Sequence, residues 1–157
     1  MQDAMNKIDK KITSYKVSSG QEILAEPVIP MGMHESIGRD EVLEGATYKL
    51  KTPLSEHALY ITINDIVLNA GTDHESRHIY EIFFNSKNME HFQWATALTR
   101  VVSAVFRKGG DVSFLADELK AIEDPKGGFW HKGKFVPSLV ALIGETIETH
   151  LKRERGF

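Results

Sequence analysis

The sequence predicts an α+β domain: an antiparallel sheet with about three helices packed on one face of it. Two observations carry that expectation. Up to Asn85 the apolar residues tend to alternate as strands require, and after Asn88 they recur every three or four positions as helices require. The chain of 157 residues, 41% hydrophobic and 26% charged, is also long and apolar enough to bury one core.

The first residues differ from the rest. Ile12 to Val17 alternates apolar and polar, Ser18-Ser19-Gly20 reads as a turn, and Ile23-Leu24 as the start of a second strand. From Pro27 to Gly38 two prolines, two glycines and no period predict an extended arm. Residues 1–40 are therefore expected to form an N-terminal strand and arm, and 41–157 the body of a single compact domain. Tyr48, Leu50 and Thr52 alternate with Lys49 and Lys51, predicting a half-buried strand. Leu59 to Asn64 is β-branched and aromatic and is expected to stop at the turn-prone pair Asn64-Asp65. Ile79 to Asn85 repeats that character, with a polar hairpin loop from Asn69 to His78 before it.

Phe92, Ala95, Leu98, Val102, Val105 and Phe106 then mark one face of a helix. Ser86 or Asn88 could cap its start, and Arg107-Lys108 followed by Gly109-Gly110 supplies a stop. Asp111 is placed to cap a second helix carrying Leu115, Leu119 and Ile122, which Asp124-Pro125-Lys126-Gly127-Gly128 ends. A third helix is expected from Pro137, with Leu139, Ile143, Ile147 and Leu151 at every fourth residue.

Composition narrows the function. A net charge of −3 argues against a dedicated nucleic-acid binder, so no direct contact with nucleic acid is expected. No apolar run approaches the ~20 residues of a membrane span, and the polar start at Met1-Gln2-Asp3 lacks a secretory pattern. With no cysteine to form a disulfide, this favours the cytoplasm. Phosphate-loop, dinucleotide and serine-elbow motifs do not occur. His74 and His78 are four apart, a metal-ligand spacing on a helix, but they fall in a predicted loop where that spacing loses its geometry. No metal site and no catalytic residue is assigned.

Two segments remain as candidate sites. Asn85, Ser86, Lys87 and Asn88 lie where a strand is expected to enter a helix, and backbone N–H groups there can receive an anion. The competing reading is plain capping, with Lys87 a surface charge. Phe129, Trp130 and Phe135 sit among glycines and basic residues, either as a loop that recognises a partner or as aromatics folded onto the core.

From Arg39 to Leu151 the chain resembles the TSCPD-type domain found near the C-terminus of adenosylcobalamin-dependent, class II ribonucleotide reductases. The resemblance is carried by Glu41-Val42-Leu43-Glu44-Gly45, Thr47-Tyr48-Lys49-Leu50-Lys51-Thr52-Pro53, Glu56-His57-Ala58 and Tyr60-Ile61-Thr62-Ile63-Asn64-Asp65-Ile66. It continues through Asn85-Ser86-Lys87-Asn88-Met89-Glu90-His91, Leu98-Thr99-Arg100, Phe106-Arg107-Lys108-Gly109-Gly110-Asp111, Asp124-Pro125-Lys126-Gly127-Gly128 and Pro137-Ser138-Leu139. The resemblance implies a part in reducing ribonucleotides to deoxyribonucleotides for DNA replication. The family's radical chemistry uses cysteines and adenosylcobalamin on a large barrel domain, and this chain has no cysteine. It is therefore expected to be a non-catalytic accessory or regulatory subunit, without a cofactor of its own, that contacts the large catalytic subunit. Adenosylcobalamin is expected on that partner only. Self-association into a homodimer through the exposed aromatics is a further expectation. The alternative is an independent domain that binds a nucleotide or another anion.

Overall fold

The computed structural model describes residues 29–87 and 92–154. The strands expected at Ile12–Val17 and from Ile23, and the capping role of Asn88, lie outside the described residues. Within them, three strands form an antiparallel sheet of order β1-β2-β3: β1 Glu44–Leu50, β2 Leu59–Leu68 and β3 Ser76–Ser86. Helices α1 Phe92–Lys108 and α2 Ser113–Lys120 follow, then a small hairpin of β4 Phe129–His131 and β5 Lys134–Val136, and last α3 Leu139–Glu154. The fold is α+β, with the sheet antiparallel as its alternating strands require.

Strand β2 organises the core because its two sides meet different neighbours. Ile61 and Ile63 point to the helices and pack with Ile82, Val102, Phe106, Ile143 and Ile147. Ile66 and Leu68 point the other way and join Tyr80 under Met33 and Ile37 of the extended arm and Leu43 just before β1. On β3 this change of side needs an extra residue. Pairing passes from Asn64↔Glu81 to Asp65↔Ile79, so Tyr80 is bulged. Ile79 and Ile82 thereby both reach the helix side, although they are three apart, while Tyr80 faces the arm. The expected turn at Asn64-Asp65 is accordingly corrected: both residues lie inside β2. Asp65 bonds His150 of α3 and Asn64 bonds Glu81 of β3, so each polar side chain is satisfied inside the fold. The chain reverses later, at Asn69 and Gly71, which adopt φ of 54° and 73°.

Helix α1 runs along the outer edge of β3. The Ser103 hydroxyl accepts from the Ile82 N–H at 3.0 Å and donates to the Ile82 carbonyl at 3.4 Å. A helix side chain thus takes up backbone groups that an edge strand would otherwise present to solvent. Gly109 and Gly110, both at φ 83°, end α1 in the left-handed turn. Asp111 Oδ1 accepts from the Ser113 N–H at 2.9 Å, although Val112 occupies the cap position of α2. The start of α3 also differs from expectation. The helix begins at Leu139, and Ser138 caps it by accepting from the Ala141 N–H at 2.9 Å, so Pro137 precedes the cap. Helices α2 and α3 pack closely at Gly144, where an added Cβ would meet the Ala116 carbonyl oxygen at 2.8 Å.

Candidate functional site

A chain of polar side chains joins the C-terminal half of α3 to the sheet. The Tyr48 hydroxyl lies 2.8 Å from His150 Nδ1. On the other side of the ring, Nε2 is 2.9 and 3.0 Å from the two oxygens of Asp65. A carboxylate only accepts, so Nε2 is the donor. Arg77 stands 3.7 Å from Asp65 and 2.7 Å from Glu44. His150 and Asp65 are both buried, and the strand period explains how: Asp65 follows Ile61 and Ile63 on the helix side of β2. A cleft of about 320 Å³ opens beside them, lined by Glu44, Asp65, Arg77, His150 and Arg153 together with Gly45 and Ala46. With both ring nitrogens engaged inside the fold, His150 positions α3 on the sheet and has no free nitrogen to offer a ligand. The cleft is lined by charges of both signs, and Arg77 is engaged there by Glu44 and Asp65.

Across the sheet, Glu81 receives hydrogen bonds from Arg39 (2.9 Å from Nη2, 3.1 and 3.2 Å from Nε) and from Asn64 at 2.9 Å. Burial raises the Glu81 carboxyl, but the bonds from Arg39 and Asn64 outweigh it and hold the carboxyl below its usual range. Arg107 reaches round from α1 to stack over the Tyr80 ring at 5.6 Å. The Asn69 side chain exchanges two 2.9 Å bonds with the Met31 backbone, tying the arm to the β2–β3 loop. Together these contacts fasten the arm over half of the sheet.

The residues singled out from the sequence separate into two places. Asn85 and Ser86 are the last residues of β3, paired with Tyr60 and Leu59, and Lys87 follows them, exposed. Asn88 lies outside the described residues. Phe129, Trp130 and Phe135 belong to the β4–β5 hairpin rather than to a loop. Its turn residues Lys132 and Gly133 have φ of 50° and 78°, which matches the twist of a tight hairpin. The two readings of the aromatic segment each describe part of it. Phe129 is buried in the core, whereas Trp130 is 71% exposed and Phe135 52% exposed, in edge contact at 6.0 Å on the outer side. The residues that sequence reasoning missed are Tyr48, Asp65, Arg77 and His150. Eighty-five positions separate Asp65 from His150, so no local spacing announces them. Among the described residues no group of three or more His, Asp or Glu is arranged to hold a metal ion. His74 stays in the loop and His78 lies in β3, where burial lowers its pKa. No helix among the described residues is long and apolar enough to cross a membrane.

A three-stranded antiparallel sheet, with α1 and α3 on one side and an arm over half of the other, is the class of fold that holds these sites. The TSCPD domain family matches residues 29–151, and the chain belongs to that family. No curated protein and no solved structure matches the chain.

Proposed function

We propose that the chain is a non-catalytic accessory or regulatory subunit of class II ribonucleotide reductase, acting by protein–protein contact. The observation that carries this reading is membership of the TSCPD family across residues 29–151 in a chain without a single cysteine. Reduction of a ribonucleotide by this family's chemistry needs thiols, which a partner must then supply. The corrin of adenosylcobalamin belongs to the partner in this reading. The charged cleft of about 320 Å³ is at the small end of ligand pockets and cannot enclose such a macrocycle with its nucleotide tail. In this role the chain works in the cytoplasm, in the supply of deoxyribonucleotides for DNA replication.

Trp130 and Phe135 suit a contact surface. They are large, mutually packed and raised on a hairpin with a rigid turn, so little conformational entropy is lost when a partner covers them. The test is co-sedimentation of the purified chain with the large reductase subunit of the same organism at micromolar concentration. The expected result is a joint boundary for the wild type that Trp130→Ala with Phe135→Ala weakens at least tenfold. Separate boundaries at every concentration would refute the accessory role.

A further inference from the structure

The half of the sheet that the arm leaves open carries side chains that the contact surface on the hairpin does not use. Register places Thr47, Thr62 and Phe83 in one row across the three strands, and Lys49, Tyr60 and Asn85 in the next. All six therefore project from the same side, opposite the helices. Phe83 is 50% exposed and Tyr60 39% exposed. They sit on adjacent strands one row apart, a diagonal at which antiparallel neighbours stand about 7–8 Å from each other. Thr47 and Thr62 bond one another at 2.9 Å, which holds the floor between the strands. Lys49 lies with its amine 5.9 Å from the centre of the Tyr60 ring.

Charge is placed at one end of this face. Lys51 and Lys87 follow directly on the last paired row, Leu50–Leu59–Ser86, so the chain sets both beyond Lys49 and Asn85 at that end of the sheet. Among the described residues, the connection between β1 and β2 carries the acid Glu56. At the other end the Glu81 carboxylate is already occupied by Arg39 and Asn64, and the arm closes the platform. The net charge of the chain is −3, so the lysine end runs against the general sign.

We propose that this open face binds a single nucleotide, its base stacked on Phe83 and Tyr60 and its phosphates met by Lys49, Lys51 and Lys87. Two exposed rings on one side of the sheet give a base apolar contact along one of its faces, and the threonine, asparagine and lysine side chains around them give polar contact at its rim. They do not fit a second copy of this chain, which would bring the same lysines into opposition and bury polar rows without a dry centre. A polynucleotide would need positive charge along its whole track, and here it stands at one end. Asn85, with one acceptor and two donor positions, is placed to read the base edge.

The test is titration of the full chain, followed by amide NMR, with ATP, dATP, CTP, adenosine, inorganic triphosphate and an oligothymidylate. Nucleoside triphosphates are expected to shift the amides of Tyr60, Phe83 and Asn85, with inorganic triphosphate at least tenfold weaker. Phe83→Ala should weaken ATP about tenfold or more and Phe83→Tyr should restore it, since one stacked base contributes on that order. Lys49→Ala with Lys87→Ala should weaken ATP but leave adenosine unchanged. Phe83 is half exposed, so its variants keep the fold, and the rest of the amide spectrum verifies this. The proposal is overturned by any of four results: no shift at millimolar nucleotide; shifts centred on Arg77 and Arg153; tight oligothymidylate binding without mononucleotide binding; or concentration-dependent shifts of the same amides in nucleotide-free protein, which would mean a second copy covers the face.

Discussion

His150 holds three elements together through one imidazole: α3, which carries it, β1 through Tyr48, and β2 through Asp65. Replacing it with alanine leaves a buried carboxylate whose nearest remaining cation, Arg77, is 3.7 Å away. The expected cost is about 3 kcal/mol, measured as a lower urea midpoint, and Asp65→Asn should cost less because a neutral amide is cheaper to leave part-bonded. Glu81 gives a pH-dependent counterpart. Its folded carboxyl lies below the ordinary range, so the unfolded chain takes up the proton first as pH falls. Its contribution is full above the unfolded value of about 4.3 and is lost as pH falls through the depressed folded value. Acid titration of wild type and Glu81→Gln should therefore show stabilities that differ at neutral pH and converge in strong acid. Neither residue was legible in the sequence. Asp65 looked like a turn former beside Asn64, and its partner is supplied by a helix at the far end of the chain.

At the level of elements, those of seven residues or more were readable and the three-residue strands of the hairpin were not. Strand β3 and helices α1 and α3 each repeat their pattern often enough to be recognised, with ends displaced by a few residues where a cap or bulge intervenes. The β4–β5 hairpin has three residues in each strand, too few for alternation to stand out. Its signal is Lys132-Gly133, a turn pair between Phe129-Trp130-His131 and Lys134-Phe135-Val136, and Gly133→Ala should test it. At φ 78° a Cβ is strained, so the variant should lose roughly 1–2 kcal/mol in thermal unfolding. The apolar face of α1 lies where its sequence period points but is narrower than that period implies. Val102 and Phe106 are buried, Leu98 is half-buried and Phe92 is exposed. Val102→Ala should cost ~1–3 kcal/mol, and Leu98→Ala less than the ~2–5 kcal/mol typical of full burial. Equal unfolding temperatures for both variants and wild type would show that α1 packs elsewhere.

For the whole molecule, the absence of cysteine predicts that the purified chain turns over no ribonucleotide, whatever cobalamin or reductant is added. A deoxyribonucleotide product formed by the purified chain alone would refute that. The cover that α1 places on β3 has a second consequence, for growth. A sheet that extends by adding neighbours needs two open margins to become a fibre, and among the described residues this sheet offers β1 while Ser103 engages the outer margin of β3 at Ile82. Copies joined margin to margin through β1 would make one six-stranded sheet with a helix at each end, and addition would stop there. Light scattering should accordingly find masses of 17.7 kDa or twice that, with no longer series. The helix acts as a chain terminator.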